Sequence, residues 1–219
     1  MPQTPLTHRI PLALTLLRAL LAPVVILLAL YYPSKVAFGL CLISAFLSDV
    51  FDGVIARRLN IATPDLRRLD SMADSVFYVG VIFAAWYLYP AEIWRHLPAL
   101  LTLAGLEVAR YVFDLVKFRR EASYHMWSSK LWGIFLFTGS FALLALGIGG
   151  LPVALAIYVG IVADVEGLII SILLRKWQTD VPTFVHALRL RATGKVPEQI
   201  VCHLFFYRIS TLPLPVQLL

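Results

Sequence analysis

Four aspartates stand out in an otherwise apolar stretch, 49-DVFDGVIARRLNIATPDLRRLDSMAD-74. Asp49 and Asp52 are three residues apart, and Asp70 and Asp74 are four apart. On helices, each pair therefore shares one face. Gly53 flanks the first pair and Ala56 continues its stripe one turn on. Carboxylates gathered in a partly dry place repel one another, and burial disfavours their charged form. A divalent cation removes that conflict, and a set of oxygen ligands suits Mg²⁺ or Mn²⁺. The plainer reading makes them interfacial charges paired with Arg57, Arg58, Arg67 and Arg68, and Asp65 fits that description. Four aspartates at helical spacing, on the facing ends of two successive segments, fit a metal cluster better.

The elements that must position them are membrane helices. Of the 219 residues, 60% are hydrophobic and 15% charged, against about 25% charged in ordinary soluble domains. Six apolar segments are long enough to cross a bilayer: 10–31, 35–57, 68–89, 97–117, 129–148 and 151–174. A span needs about 20 residues of helix, because backbone groups in lipid must be satisfied internally. The fold expected is all-α, a polytopic membrane protein. Pro33, Pro64, Pro90, Pro98 and the 149-GGLP-152 turn punctuate the segments. Arg18 interrupts the first run, which reads as an uncleaved first span rather than a cleaved signal.

Basic residues mark one side: Arg9, then Arg57, Arg58, Arg67 and Arg68, then Lys117, Arg119 and Arg120, then Arg175 and Lys176. The other side holds only Lys35 and Arg95. This bias places both termini and the aspartates in the cytoplasm, and the membrane expected is the cytoplasmic (inner) one. It also accounts for the net charge of +6 without nucleic acid. Cys41 and Cys202 imply no disulfide framework. Residues 1–176 read as the membrane domain and 177–219 as a cytoplasmic or membrane-surface tail, with 183–191 a short basic helix on the membrane. Pro213 and Pro215 break the apolar end, so no seventh span is expected.

The stretch 49–74 resembles the signature of the CDP-alcohol phosphatidyltransferases, D-x-x-D-G-x-x-A-R-x8-G-x3-D-x3-D. Asp49, Asp52, Gly53, Ala56, Arg57, Asp70 and Asp74 fall in register, and Leu66 replaces the family's second glycine. The segment 15-TLLRALLAP-23 is also similar to the family's first helix, so the likeness covers about residues 10–176. The resemblance implies transfer of a phosphatidyl group from CDP-diacylglycerol, or another CDP-alcohol, to a hydroxyl acceptor with release of CMP. It implies two Mg²⁺ or Mn²⁺ ions held by Asp49, Asp52, Asp70 and Asp74. Asp74 would also take the acceptor's proton, while Asp49, Asp52, Gly53, Ala56 and Arg57 would hold the nucleotide. A homodimer is implied as well.

Acceptor recognition needs other residues. Arg110 lies deep in the fourth segment, and Lys130 opens the fifth within 125-HMWSSKLWG-133. Each could hold a phosphate on the acceptor, as Arg and Lys commonly do, which favours a phosphorylated polyol such as glycerol phosphate or inositol phosphate. Equally, Arg110 could pair with Glu107 or Asp114, and Lys130 could be an orienting charge. His125 reads as interfacial. Asp164 and Glu166 are expected to pair structurally with Arg18 or Arg110. Two rival functions are a divalent-cation transporter and an inactive membrane scaffold. A transport site would sit near the midplane among repeats, whereas these aspartates crowd a cytoplasmic end and no repeat is found.

Overall fold

The computed structural model describes the backbone of residues 5–58, 64–120, 124, 126–178 and 181–193, and the side chains of 12–55, 69–120, 124, 126–178 and 181–192. Among these residues there is no strand. The helices are α1 (Pro5–Tyr31), α2 (Lys35–Arg58), α3 (Pro64–Leu88), α4 (Pro90–Phe118), α5 (Trp127–Phe141), α6 (Leu151–Leu173) and α7 (Phe184–Thr193). Among the described residues, five stretches are long and apolar enough to cross a membrane: Leu12–Tyr31, Lys35–Ile55, Leu69–Leu88, Trp127–Leu146 and Leu151–Leu173. The protein is therefore an all-helical integral membrane protein. The remaining expected span, 97–117, falls within the longest helix, α4, whose middle and end carry Glu107, Arg110, Asp114 and Lys117.

Local chemistry explains the helix ends. Proline stands in the first turn of α4 and of α6, where its missing N–H has no intrahelical partner to lose. Pro98 does not break α4 as the punctuation suggested; it sits inside the helix, eight residues after Pro90. The chain extends α5 by a π-helical turn, Ala142–Leu146, which Gly147 closes in the left-handed region at φ 76°. Glu92 of α4 then ties down the next turn. Its Oε2 accepts the Gly150 N–H at 3.0 Å, and its Oε1 accepts from Arg95 at 2.9 Å.

Helix packing places the site. α1 lies against both α2 and α3, and α6 lies against α4 and α5. Two glycines let helices approach closely, as small residues do in membranes. A Cβ on Gly80 of α3 would stand 3.0 Å from the Ala22 carbonyl of α1, and one on Gly139 of α5 would stand 2.8 Å from the Pro152 carbonyl of α6. The core joins Val25, Phe38, Leu42, Phe77, Leu144 and Ile157. Outward faces carry Leu20, Val79, Ile82 and Val162, which suits contact with lipid.

The tail folds back. Val181 and Ala187 are buried against Tyr124, Met126 and Ile170. The Phe184 N–H that opens α7 donates to Glu166 of α6 at 3.2 Å. Thus α7 begins beside a residue seven positions short of the end of α6, about 10 Å along that helix. The short helix expected at 183–191 is present, and it is pinned by Glu166.

Candidate functional site

Three buried stripes converge on the aspartates. On α1, the positions Thr15, Arg18, Ala22, Val25 and Ala29 repeat at intervals of three and four and are all buried. On α2, Phe38, Leu42, Ala45 and Ser48 lead to Asp52, and on α3 Ala84, Val81 and Phe77 lead back to Asp74 and Asp70. Asp52 lies six residues before the end of α2, and Asp70 lies six residues after the start of α3. Two helices joined by a short connection and running in opposite directions bring such positions to one level. Asp52 and Asp70 are in fact close enough to share a side-chain hydrogen bond.

At the centre is Arg18, only 1% exposed. Its Nη1 contacts Asp49 Oδ1 at 3.2 Å and also meets Asp74 Oδ1. Its Nη2 meets Asp52 Oδ2 and Asp70 Oδ1. Each terminal nitrogen thus bridges one aspartate of α2 and one of α3. Carboxylate exposure rises from 6% at Asp52 through 32% at Asp70 and 37% at Asp74 to 49% at Asp49. The cluster is closed at Asp52 and open at the Asp49 and Asp74 rim.

This arrangement fits a divalent cation. Asp49, Asp70 and Asp74 each offer an oxygen, and these three atoms lie within 4.8 Å of one another. Asp52 stands outside that triad and joins it through Arg18 and Asp70. Four ionised carboxylates against one guanidinium leave a formal charge of −3, and an all-oxygen donor set is the kind that Mg²⁺ and Mn²⁺ prefer. Asp49, Asp70 and Asp74 would hold the ion directly. Gly53 is half-buried beside Asp52 on α2. Ala56, Arg57 and Arg58, with Asp65, Leu66, Arg67 and Arg68, lie on α2 and α3 with side chains outside the described residues.

Arg18 is the residue that sequence reasoning missed. From sequence, Arg18 stands only as one of two possible partners, with Arg110, for Asp164 and Glu166; Asp164 takes Arg110 and Glu166 caps α7. The signal that could have found it is its phase. Arg18 sits on the same three-and-four stripe as Ala22, Val25 and Ala29, and so must face α2 and α3, against which α1 packs, rather than lipid.

A second polar group lies between α4 and α6. Arg110 Nε approaches Asp164 Oδ1 at 3.4 Å, so of the partners read from sequence it meets Asp164, as expected of that aspartate, and not Glu107 or Asp114. Gly167 makes room for it, since a Cβ there would stand 3.0 Å from Arg110 Cδ. Nearby, Asp114 is buried beside Ser171 and Tyr124, whose hydroxyls hydrogen-bond to each other at 3.0 Å. Burial pushes the Tyr124 phenol up to about 12, so it stays neutral at working pH. Lys117 Nζ donates to the Ser171 carbonyl at 2.7 Å and to the Ile172 carbonyl at 3.0 Å, closing the end of α6. Lys130 is exposed at the start of α5, 4.7 Å from the Trp127 ring centre. His125 lies outside the described residues.

With this geometry in place, the family profile of the CDP-alcohol phosphatidyltransferases matches residues 8–192, most of the chain. No curated protein and no solved structure matches it.

Proposed function

The chain belongs to the CDP-alcohol phosphatidyltransferase family, and from that premise we propose that it transfers a phosphatidyl group from CDP-diacylglycerol to a phosphorylated polyol, releasing CMP. Family membership supports a CDP-alcohol donor. The observation that supports metal-dependent chemistry is the trio of Asp49, Asp70 and Asp74 oxygens within 4.8 Å of one another.

In the reaction, an acceptor hydroxyl oxygen bonds to the phosphorus bearing the diacylglycerol. The bond from that phosphorus to the bridging oxygen breaks, the electron pair leaves with CMP, and the hydroxyl proton must go to a base. Asp74 takes it in this reading, because its carboxylate is more than a third exposed at the open rim, where an acceptor can reach. Two Mg²⁺ or Mn²⁺ ions on Asp49, Asp52, Asp70 and Asp74 would supply charge neutralisation for the diphosphate and the departing CMP. Asp52, deepest of the four, orients the cluster from below. Gly53, Ala56 and Arg57 border the nucleotide by their place in the motif.

Arg110 and Lys130 are assigned to the acceptor's phosphate. Arg110 meets Asp164 through Nε, a side-on contact that leaves the guanidinium edge as the part to hold an anion. Residues 1–176 form the catalytic membrane domain in this reading, with the site on the cytoplasmic side and the chain working as a homodimer. The decisive assay follows CMP release by purified protein given CDP-diacylglycerol, Mg²⁺ or Mn²⁺, and a panel of glycerol phosphate, inositol phosphate and serine. Acceptor-dependent CMP is expected with a phosphorylated polyol. Folded protein that releases none with any acceptor rules the transferase reading out.

A further inference from the structure

The four aspartates share one resident cation, and a divalent ion drawn to them must compete with it. Arg18 is buried to 1% exposure, and its Nε is buried without a hydrogen-bond partner. Its terminal nitrogens are committed to Asp49, Asp52, Asp70 and Asp74, each through a single carboxylate oxygen. Three of those aspartates are the ones whose oxygens converge within 4.8 Å. A divalent ion drawn to that convergence competes with the guanidinium for the same negative charge, and two cations at one point repel.

We propose that Arg18 is the built-in counter-cation of the aspartate cluster: it holds the ends of α2 and α3 together in metal-free protein and yields carboxylate oxygens when divalent ions bind. The inference rests on the reading of the cluster as a divalent-cation site. The physical need for it is plain. Four carboxylates placed side by side at a membrane face would drive their helices apart. A cation supplied by α1, planar and able to bridge pairs of carboxylates, removes that repulsion before any metal arrives. Each Nη joins one aspartate of α2 to one of α3, which is the pattern of a clasp between those helices. A guanidinium placed only to stabilise α1 needs a single partner.

The two roles make opposite predictions for charge removal. A purely structural arginine, once lost, weakens the fold by a similar amount with or without metal, and it does nothing to improve metal binding. A counter-cation, once lost, leaves the metal-free fold weaker and the divalent site more negative, because binding of the two cations is negatively coupled.

The test uses full-length protein purified in detergent with Mn²⁺ and then stripped with chelator. Mn²⁺ binding is read by the electron paramagnetic resonance of the free ion, and thermal unfolding is read with chelator and with saturating Mn²⁺. Arg18→Gln is expected to bind Mn²⁺ at least about tenfold more tightly than wild type, the coupling of a displaced unit charge. Its unfolding temperature is expected to fall in chelator, with most of that deficit recovered in Mn²⁺. Arg18→Lys, which keeps the charge, is expected to stay closer to wild type in both measurements. Unchanged or weaker Mn²⁺ binding by Arg18→Gln, an equal deficit in both conditions, or failure to fold even in Mn²⁺ would overturn the proposal. Wild-type protein that binds no Mn²⁺ would instead remove the divalent-site reading beneath it.

Discussion

Arg18 Nη1 lies 3.2 Å from Asp49 Oδ1, a buried guanidinium meeting a half-exposed carboxylate across the packing of α1 on α2. The same guanidinium reaches both aspartates of α3, so a residue of the first helix organises the motif carried by the next two. The site depends on three helices keeping their register, and its chemistry can be tested residue by residue.

Replacing Asp74 by Asn keeps the side chain's size and removes its capacity to accept a proton at working pH. Turnover is expected to fall by about 100-fold or more, the usual share of a general base. Acceptor-dependent CMP release measures this, with unfolding temperature as the check on folding. Near-normal turnover would assign the proton to another group.

Chelation is expected to abolish CMP release, and Mg²⁺ or Mn²⁺ to restore it. Asp49→Asn and Asp70→Asn each take the negative charge from one of the three converging carboxylates. Each is expected to raise the metal concentration needed for half-maximal activity by about tenfold or more, within the range seen when metal sites are weakened. A metal titration of activity would reveal a metal-independent enzyme at once.

Arg110 and Lys130 separate under mutation. Removing Arg110 leaves the carboxylate of Asp164 buried at 1% exposure without its cation, at a cost of about 3 kcal/mol. Arg110→Ala should therefore lower thermal stability, and Asp164→Asn added to it should recover part of the loss. Lys130 is exposed, so Lys130→Ala should leave stability unchanged and raise the acceptor's KM. A KM untouched by Lys130→Ala removes that residue from the acceptor site.

Gly80 holds α1 against α3, where an added Cβ would lie 3.0 Å from the Ala22 carbonyl. Gly80→Val brings bulk against backbone and is expected to cost about 1–3 kcal/mol. Because the same contact sets Arg18 against Asp70 and Asp74, CMP release should fall along with the unfolding temperature. Full activity in that variant would show that the α1–α3 spacing has slack.

Tyr124 gives a pH signature. Its phenol is raised from 10.0 to about 12, chiefly by burial. A neutral form favoured by folding contributes stability that is present below pH 10 and lost as pH rises through 12. Tyr124→Phe should be less stable at neutral pH by about 1 kcal/mol, the worth of a hydrogen bond, and should lose less stability between pH 10 and 12. Parallel stability curves for the two proteins would refute this.

The helices and the aspartate faces were legible in the sequence because both are local. An apolar run of span length has one stable form in lipid, and intervals of three and four put Asp49 with Asp52 and Asp70 with Asp74 whatever surrounds them. Pro98 misled because α4 runs on through it: it stands eight residues after Pro90, inside the helix, where a proline removes one backbone hydrogen bond without ending the element. The π-helical turn at Ala142–Leu146 carried no recognisable signal of its own.

Pairing among charges was decided only by the tertiary structure. The chain offers Arg18, Arg110, Asp164, Glu166 and four motif aspartates, and sequence spacing cannot say which cation faces which carboxylate. The answer lies in how rigid helices rotate and slide against one another. Gly80 brings α1 onto α3 and turns Arg18 into the aspartates. Gly167 opens α6 to Arg110 and hands it Asp164, while Glu166, two residues along the same helix, points elsewhere and caps α7. Periodicity fixes the face of a helix on which a charge stands, and only packing between helices selects the partner it meets there.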